Sequence, residues 1–272
     1  MRALPSRLAE PGGDGDDLVD SDVPAAVVCA RCGAADCSGC AFELTQSGVV
    51  SLVAWERPGS PLFQRLWATA RATTFDADHF FESLPDGPIG PALRFAVLCE
   101  AIAAGAMAVA AFVPLAIAAP AFVARIASAD GGGGACAVAA GVPLLAGLLV
   151  LAHAGHGWAL DRGARGSGAR GATRRALRFG LYAAGWDLVI GPVGAIVVAV
   201  KQGVGAAFSI GAIAIGLPAR SALAFLRGTY GLRGNAARPA MRAGYAAAIV
   251  VTLLGAFAVI SAIAWCILQG DR

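Results

Sequence analysis

Lysine is almost missing from this 272-residue chain, where Lys201 stands against 20 arginines. Charge of either sign is scarce at 14%, whereas a soluble domain carries about a quarter. The shortage excludes an ordinary soluble enzyme surface. It is also uneven: residues 1–92 hold 13 acidic and 6 basic residues, and residues 93–272 hold 5 acidic and 15 basic. The net charge of +3 therefore hides an acidic soluble part and a basic apolar part. An apolar core is lacking in the first 25 residues, which carry the acidic run Asp14 to Asp22 instead. That excludes a cleavable signal peptide and leaves insertion to the first membrane helix. Catalytic signatures are lacking too. There is no H-E-x-x-H, and the glycines Gly131–Gly134 follow no strand and lack a G-K-[ST] ending, so they read as an external turn.

What is abundant is apolar sequence. Five stretches, Leu93–Ala119, Ala135–Leu160, Phe179–Val200, Val204–Leu226 and Ala243–Leu268, run 22 to 27 residues. About 20 residues cross a hydrocarbon core of about 30 Å. The expected fold is all-α, a polytopic bundle of five transmembrane helices in residues 92–268, because lipid offers backbone amides no partner. The fourth stretch is interrupted by Pro218 and Arg220, and Pro114 and Pro192 predict kinks.

Arginines fix the orientation. Arg162, Arg165, Arg170, Arg174, Arg175 and Arg178 fall between spans two and three, and Arg220, Arg227, Arg233, Arg238 and Arg242 near the loop between spans four and five. The other two loops are nearly bare. Positive loops stay in the cytoplasm, so the N-terminus is expected inside and the C-terminus outside. The Arg-, Ala- and Gly-rich composition is that of a GC-rich bacterial genome, which makes the inner (cytoplasmic) membrane the expected location. The basic residues are assigned to sidedness and lipid headgroups, with no nucleic-acid partner.

Ahead of the spans lie three segments. Residues 1–26 read as a disordered acidic tail. Residues 27–58 contain Cys29, Cys32, Cys37 and Cys40 in the pattern C-x2-C-G-x3-C-x2-C. Paired C-x-x-C turns in a reducing compartment suit a structural zinc. The four-residue gap is shorter than that of a zinc ribbon, so an iron–sulfur cluster or unligated redox thiols stay open. Residues 59–91 read as juxtamembrane amphipathic helices. Leu62, Phe63, Leu66, Trp67 and Ala70 share one face, and Phe75, Phe80, Phe81 and Leu84 continue the pattern. These residues either pack on the bundle or lie in the membrane interface.

Four ionisable residues interrupt the apolar spans: Glu100, His153, His156 and Asp187. Such residues usually face the bundle interior and have partners. Together they could relay protons, bind a cation or simply fix helix register as a hydrogen-bonded cluster. Gly185, Gly191 and Gly194, with Gly205-x3-Ser209 and Ala212-x3-Gly216, offer small surfaces for close helix approach, compatible with an oligomer.

The segment Phe63-Gln-Arg-Leu-Trp67 through Phe80-Phe81-Glu-Ser-Leu84, the opening Ala92-Leu-Arg-Phe-Ala96, the loop into Arg178-Phe-Gly-Leu-Tyr182 and the turn Tyr230-Gly-Leu-Arg233 form a further pattern. Over about residues 60–265 it resembles the bacterial branch of the Yip (Ypt-interacting protein) family. The D-L-Y-G-P motif of eukaryotic members is absent; Leu84-Pro-Asp-Gly-Pro88 is loosely similar. The resemblance implies a five-helix membrane protein with a cytosolic N-terminus and no catalytic residue. The expectation is a non-enzymatic role in membrane organisation or protein interaction. A small transporter or channel using Glu100, Asp187, His153 and His156 is the alternative.

Overall fold

The computed structural model describes residues 53–57, 59–121, 123–124 and 133–270. The acidic tail and Cys29, Cys32, Cys37 and Cys40 lie outside the described residues. Among the described residues every regular element is helical. After a 3-10 turn at Ala54–Glu56 come two short helices, α1 (Leu62–Phe75) and α2 (Ala77–Glu82); a second 3-10 turn, Gly234–Ala237, comes late in the chain. The long helices α3 (Ile89–Ala118) and α4 (Gly133–Gly166) follow. The next apolar stretch is built in three pieces: α5 (Thr173–Ala183), α6 (Gly185–Val189) and α7 (Pro192–Gln202). Helices α8 (Val204–Tyr230) and α9 (Arg238–Gly270) complete the chain. Gly133 and Gly134, expected in an external turn, instead open α4.

Among the described residues, four helices are long and apolar enough to cross a membrane: Ile89–Ala118, Ala140–Gly166, Thr173–Gln202 and Gly234–Ala258. At 1.5 Å per residue the 30 residues of α3 reach about 45 Å, enough to cross and project beyond. Their outward faces are apolar as lipid requires: Val109, Phe112 and Ile117 on α3 and Ile249, Leu253 and Phe257 on α9 are exposed. The fourth expected stretch, Val204–Leu226, belongs to α8, which runs unbroken through Pro218 to Tyr230. Arg220 ends up beside Asp78 of α2, Nε to Oδ2 3.2 Å.

The third stretch departs from expectation. Pro192 does not kink a helix; it begins one, as the first residue of α7 after a break at Ile190–Gly191. Proline suits that position, where its missing N–H would have no helical partner anyway. A side chain at Gly194 would overlap the Val189 carbonyl, so the chain can fold this tightly only with glycine there.

Close packing uses Gly185, whose Cβ position lies 3.0 Å from Ala70 Cα of α1, and other glycines that the sequence reading did not name. A Cβ at Gly157 of α4 would strike the Ala176 carbonyl oxygen of α5, and one at Gly180 of α5 would strike that of His153 on α4. The two helices thus cross backbone to backbone. Gly163 does the same between α4 and α9, with Ala240 Cα 2.5 Å from its Cβ position, and Gly244 of α9 makes room for the Leu160 and His156 side chains of α4. At Gly216, by contrast, nothing lies within 4 Å of that position.

The N-terminal helices form a cap fused to one end of the bundle. Leu66, Ala70, Phe80 and Phe81 are buried. Phe81 meets Phe179 and Trp186 edge-on at 4.8 and 6.0 Å, and Phe179 stacks on Phe225 of α8 at 4.5 Å. Such pairs add about 0.5–1.5 kcal/mol each beyond area burial. Leu62, Phe63 and Phe75 point outward, 55%, 71% and 66% exposed. The expected apolar face therefore divides between the core and the exterior.

Candidate functional site

Helices α3, α4 and α6 each deliver one ionisable side chain to a common point. Glu100 stands eleven residues into α3 and is completely buried. His153 Nε2 on α4 lies 3.0 Å from Glu100 Oε1 and 2.9 Å from Asp187 Oδ2 on α6. The Gly180 crossing sets this geometry, because it draws the α4 backbone at His153 against α5 and so places α6 alongside. Trp186 closes one side, its ring centroid 6.3 Å from that of His153. Burial falls from Glu100 outward: the side chains of His153 and Asp187 are 16% and 41% exposed.

Of the four expected polar residues, three converge. His156 does not join them; it is buried between the rings of Phe179 and Tyr245, at 5.9 and 5.6 Å. Residues three apart on a helix differ by about 60° in direction, enough to separate the two imidazoles. Chemically the trio can hold a proton between carboxylates and imidazole, or offer one nitrogen and two oxygens to a cation.

A second polar centre ties the cap to the bundle, and the loop-charge reading misassigned its key residue. Arg178, counted there as a loop charge, is fully buried in α5. Its Nη1 donates to the Pro88 carbonyl at 2.8 Å and lies 2.9 Å from Glu56 Oε1, and Nη2 donates to Glu56 Oε2 at 3.2 Å. The Tyr182 hydroxyl donates to Glu56 Oε1 at 2.5 Å. Trp55, next in sequence, donates through Nε1 to the Pro91 carbonyl at 2.8 Å and through its backbone N–H to Thr69 Oγ1 at 2.8 Å. Glu56 had no sequence signal beyond being an acid beside a tryptophan.

A third centre organises the α4–α5 loop. Asp161, 1% exposed, accepts from the Ala172 N–H at 2.7 Å, Thr173 Oγ1 at 2.8 Å and the Tyr230 hydroxyl at 2.7 Å, and pairs with Arg165. Burial and that hydrogen bond push the Tyr230 hydroxyl above its ordinary range. On the cap, the hydrogen bond from Arg227 holds the Glu82 carboxyl below its usual value.

No protein-family model, curated protein or solved structure matches this chain.

Proposed function

We propose that this chain is a non-enzymatic, five-span protein of the bacterial cytoplasmic membrane, Yip-like in plan, that organises membrane or assembles proteins at the cytosolic face. In this reading α8 is a span as well, the fourth of five, the N-terminus is cytosolic, and the α1–α2 cap lies in the inner leaflet's interface. The observation that carries it is the division of the cap's apolar residues. Leu66, Ala70, Phe80 and Phe81 are buried in the core, while Leu62, Phe63 and Phe75 face outward. An outward aromatic and aliphatic face on a segment just ahead of a membrane-crossing helix in sequence fits the headgroup–acyl boundary. Burying each such side chain contributes about 1.5–3 kcal/mol, so the cap would be held against the leaflet and crowd its headgroups. Trp158, with Arg162 5.0 Å over its ring, supplies a matching belt residue near the same end of α4.

The test is depth measurement in reconstituted bilayers. A nitroxide placed at position 63 or 75 in a cysteine-depleted chain should relax with oxygen and ignore an aqueous nickel chelate. Free access of the chelate to both positions would refute the interfacial cap. Reporter fusions should put the two ends of the chain on opposite sides. Cys29, Cys32, Cys37 and Cys40 are assigned a structural zinc in the same reading, supported by their spacing and by a reducing cytosolic location. One zinc per purified chain, lost when the four become serine, is the expected result.

A further inference from the structure

The Glu100–His153–Asp187 trio is unfinished as a hydrogen-bonded cluster. His153 Nε2 can carry one hydrogen, and its geometry to Asp187 Oδ2 is that of a hydrogen bond. Glu100 receives nothing comparable: both its carboxylate oxygens are buried without a hydrogen-bond partner. A buried, unsatisfied carboxylate is among the costliest groups a protein can hold. Charge points the same way. Two carboxylates and a neutral imidazole carry two negative charges in a low-dielectric setting, and protonating the imidazole cancels one. A dication cancels both and leaves the imidazole nitrogen free to ligate.

The spacing suits such an ion. Nitrogen and oxygen ligands bind first-row divalent cations at about 2.0–2.2 Å. Adjacent ligands at right angles are then about 3.0 Å apart, by simple geometry on that distance. The separations on either side of His153 Nε2 are 3.0 and 2.9 Å, and the three ligand atoms all lie within 4.8 Å of one another. Three helices supply the three ligands, so the site is set by tertiary packing. Asp187 is partly exposed, which leaves a side open for water ligands and entry. It also sits four residues before the break at Gly191, and interrupted helices are where membrane proteins commonly seat ions.

We propose that Glu100, His153 and Asp187 bind one divalent first-row cation of the Mn2+ or Fe2+ class. Two hard oxygens and one imidazole suit that class and give a thiolate-seeking metal no sulfur ligand. The site is independent of the interfacial-cap reading.

The experiment uses the full chain in lipid nanodiscs, titrated with Mn2+ and followed by electron paramagnetic resonance. Mn2+ is chosen because the cysteine cluster has little affinity for it. The expected result is one saturable Mn2+ per chain, with a nitrogen coupling in the pulsed spectrum from a single imidazole. Glu100→Gln and Asp187→Asn should each weaken binding at least about tenfold, and His153→Gln should remove the nitrogen coupling. Absence of saturable uptake, uptake indifferent to the carboxamide variants, or bound Mn2+ without nitrogen coupling would each overturn the proposal. Should a variant fail to assemble, the nitrogen coupling of the unaltered chain decides alone.

Discussion

Replacing Glu56 with alanine tests how the cap is held. The substitution removes the acceptor of two guanidinium contacts from Arg178, at 2.9 and 3.2 Å, and of the Tyr182 hydroxyl at 2.5 Å. Arg178 stays behind, fully buried, with the Pro88 carbonyl at 2.8 Å and the Tyr182 ring face 5.6 Å away. Hydrogen bonds to charged groups contribute about 1.5–3 kcal/mol each, and breaking one side of a buried pair costs about 3–5 kcal/mol. Glu56 is 17% exposed, so some water can relieve the orphaned charge, and the expected loss is about 3 kcal/mol. Arg178→Met alone should cost less, because the glutamate left behind can turn toward solvent. The double variant should be no worse than Glu56→Ala, since it leaves no buried charge unpaired and only the neutral Tyr182 hydroxyl and Pro88 carbonyl lose a partner. The assay is a double-mutant cycle on thermal unfolding in micelles, with proteolysis of residues 53–57 as a second readout. A Glu56→Ala loss below about 1 kcal/mol, or a coupling below about 0.5 kcal/mol, would refute the view that this pair fastens the cap.

Two further outcomes follow from the packing and the charges. Gly180→Ala should lower stability by about 1–3 kcal/mol, because the new methyl meets the His153 backbone carbonyl, which cannot move aside as a side chain could. Gly105→Ala, with nothing within 4 Å, should be neutral or slightly stabilising, and equal effects in the two would refute the crossing. The Glu82–Arg227 pair should make stability pH-dependent. The folded Glu82 carboxyl lies below its ordinary value of 4.5, so its contribution is present above 4.5 and is lost as pH falls through the folded value. Glu82→Gln should flatten the profile below pH 4.5, measured as the difference in thermal midpoint.

The membrane-crossing helices were legible because lipid imposes one demand, an uninterrupted apolar run, that local sequence either meets or fails. The cap was only half legible. Phe63 and Phe75 share their chemistry with Phe80 and Phe81, yet the first two face outward and the others lie in the core. That choice depends on Phe179 and Trp186, about a hundred residues later. Arg178 misled for the same reason: an arginine beside an apolar run looks like a loop charge until Glu56, 122 residues earlier, is seen beside it. The small-residue reading held at Gly185, failed at Gly216 and missed Gly157, because close approach is a property of two surfaces and spacing describes one. Glu100, His153 and Asp187 stood out as ionisable residues in apolar surroundings. Their meeting point, and the exclusion of His156, required the helix crossings.

The Glu56–Arg178 tie also imposes an order of events during synthesis. Residues 53–86 leave the ribosome long before α5 exists, so their aromatic side must wait, uncovered, while two helices enter the bilayer. Only when Arg178, Phe179 and Trp186 emerge can the earliest folded segment find its seat. A nascent chain stalled after α4 would therefore carry this segment open to protease, and one stalled after α7 would have it closed.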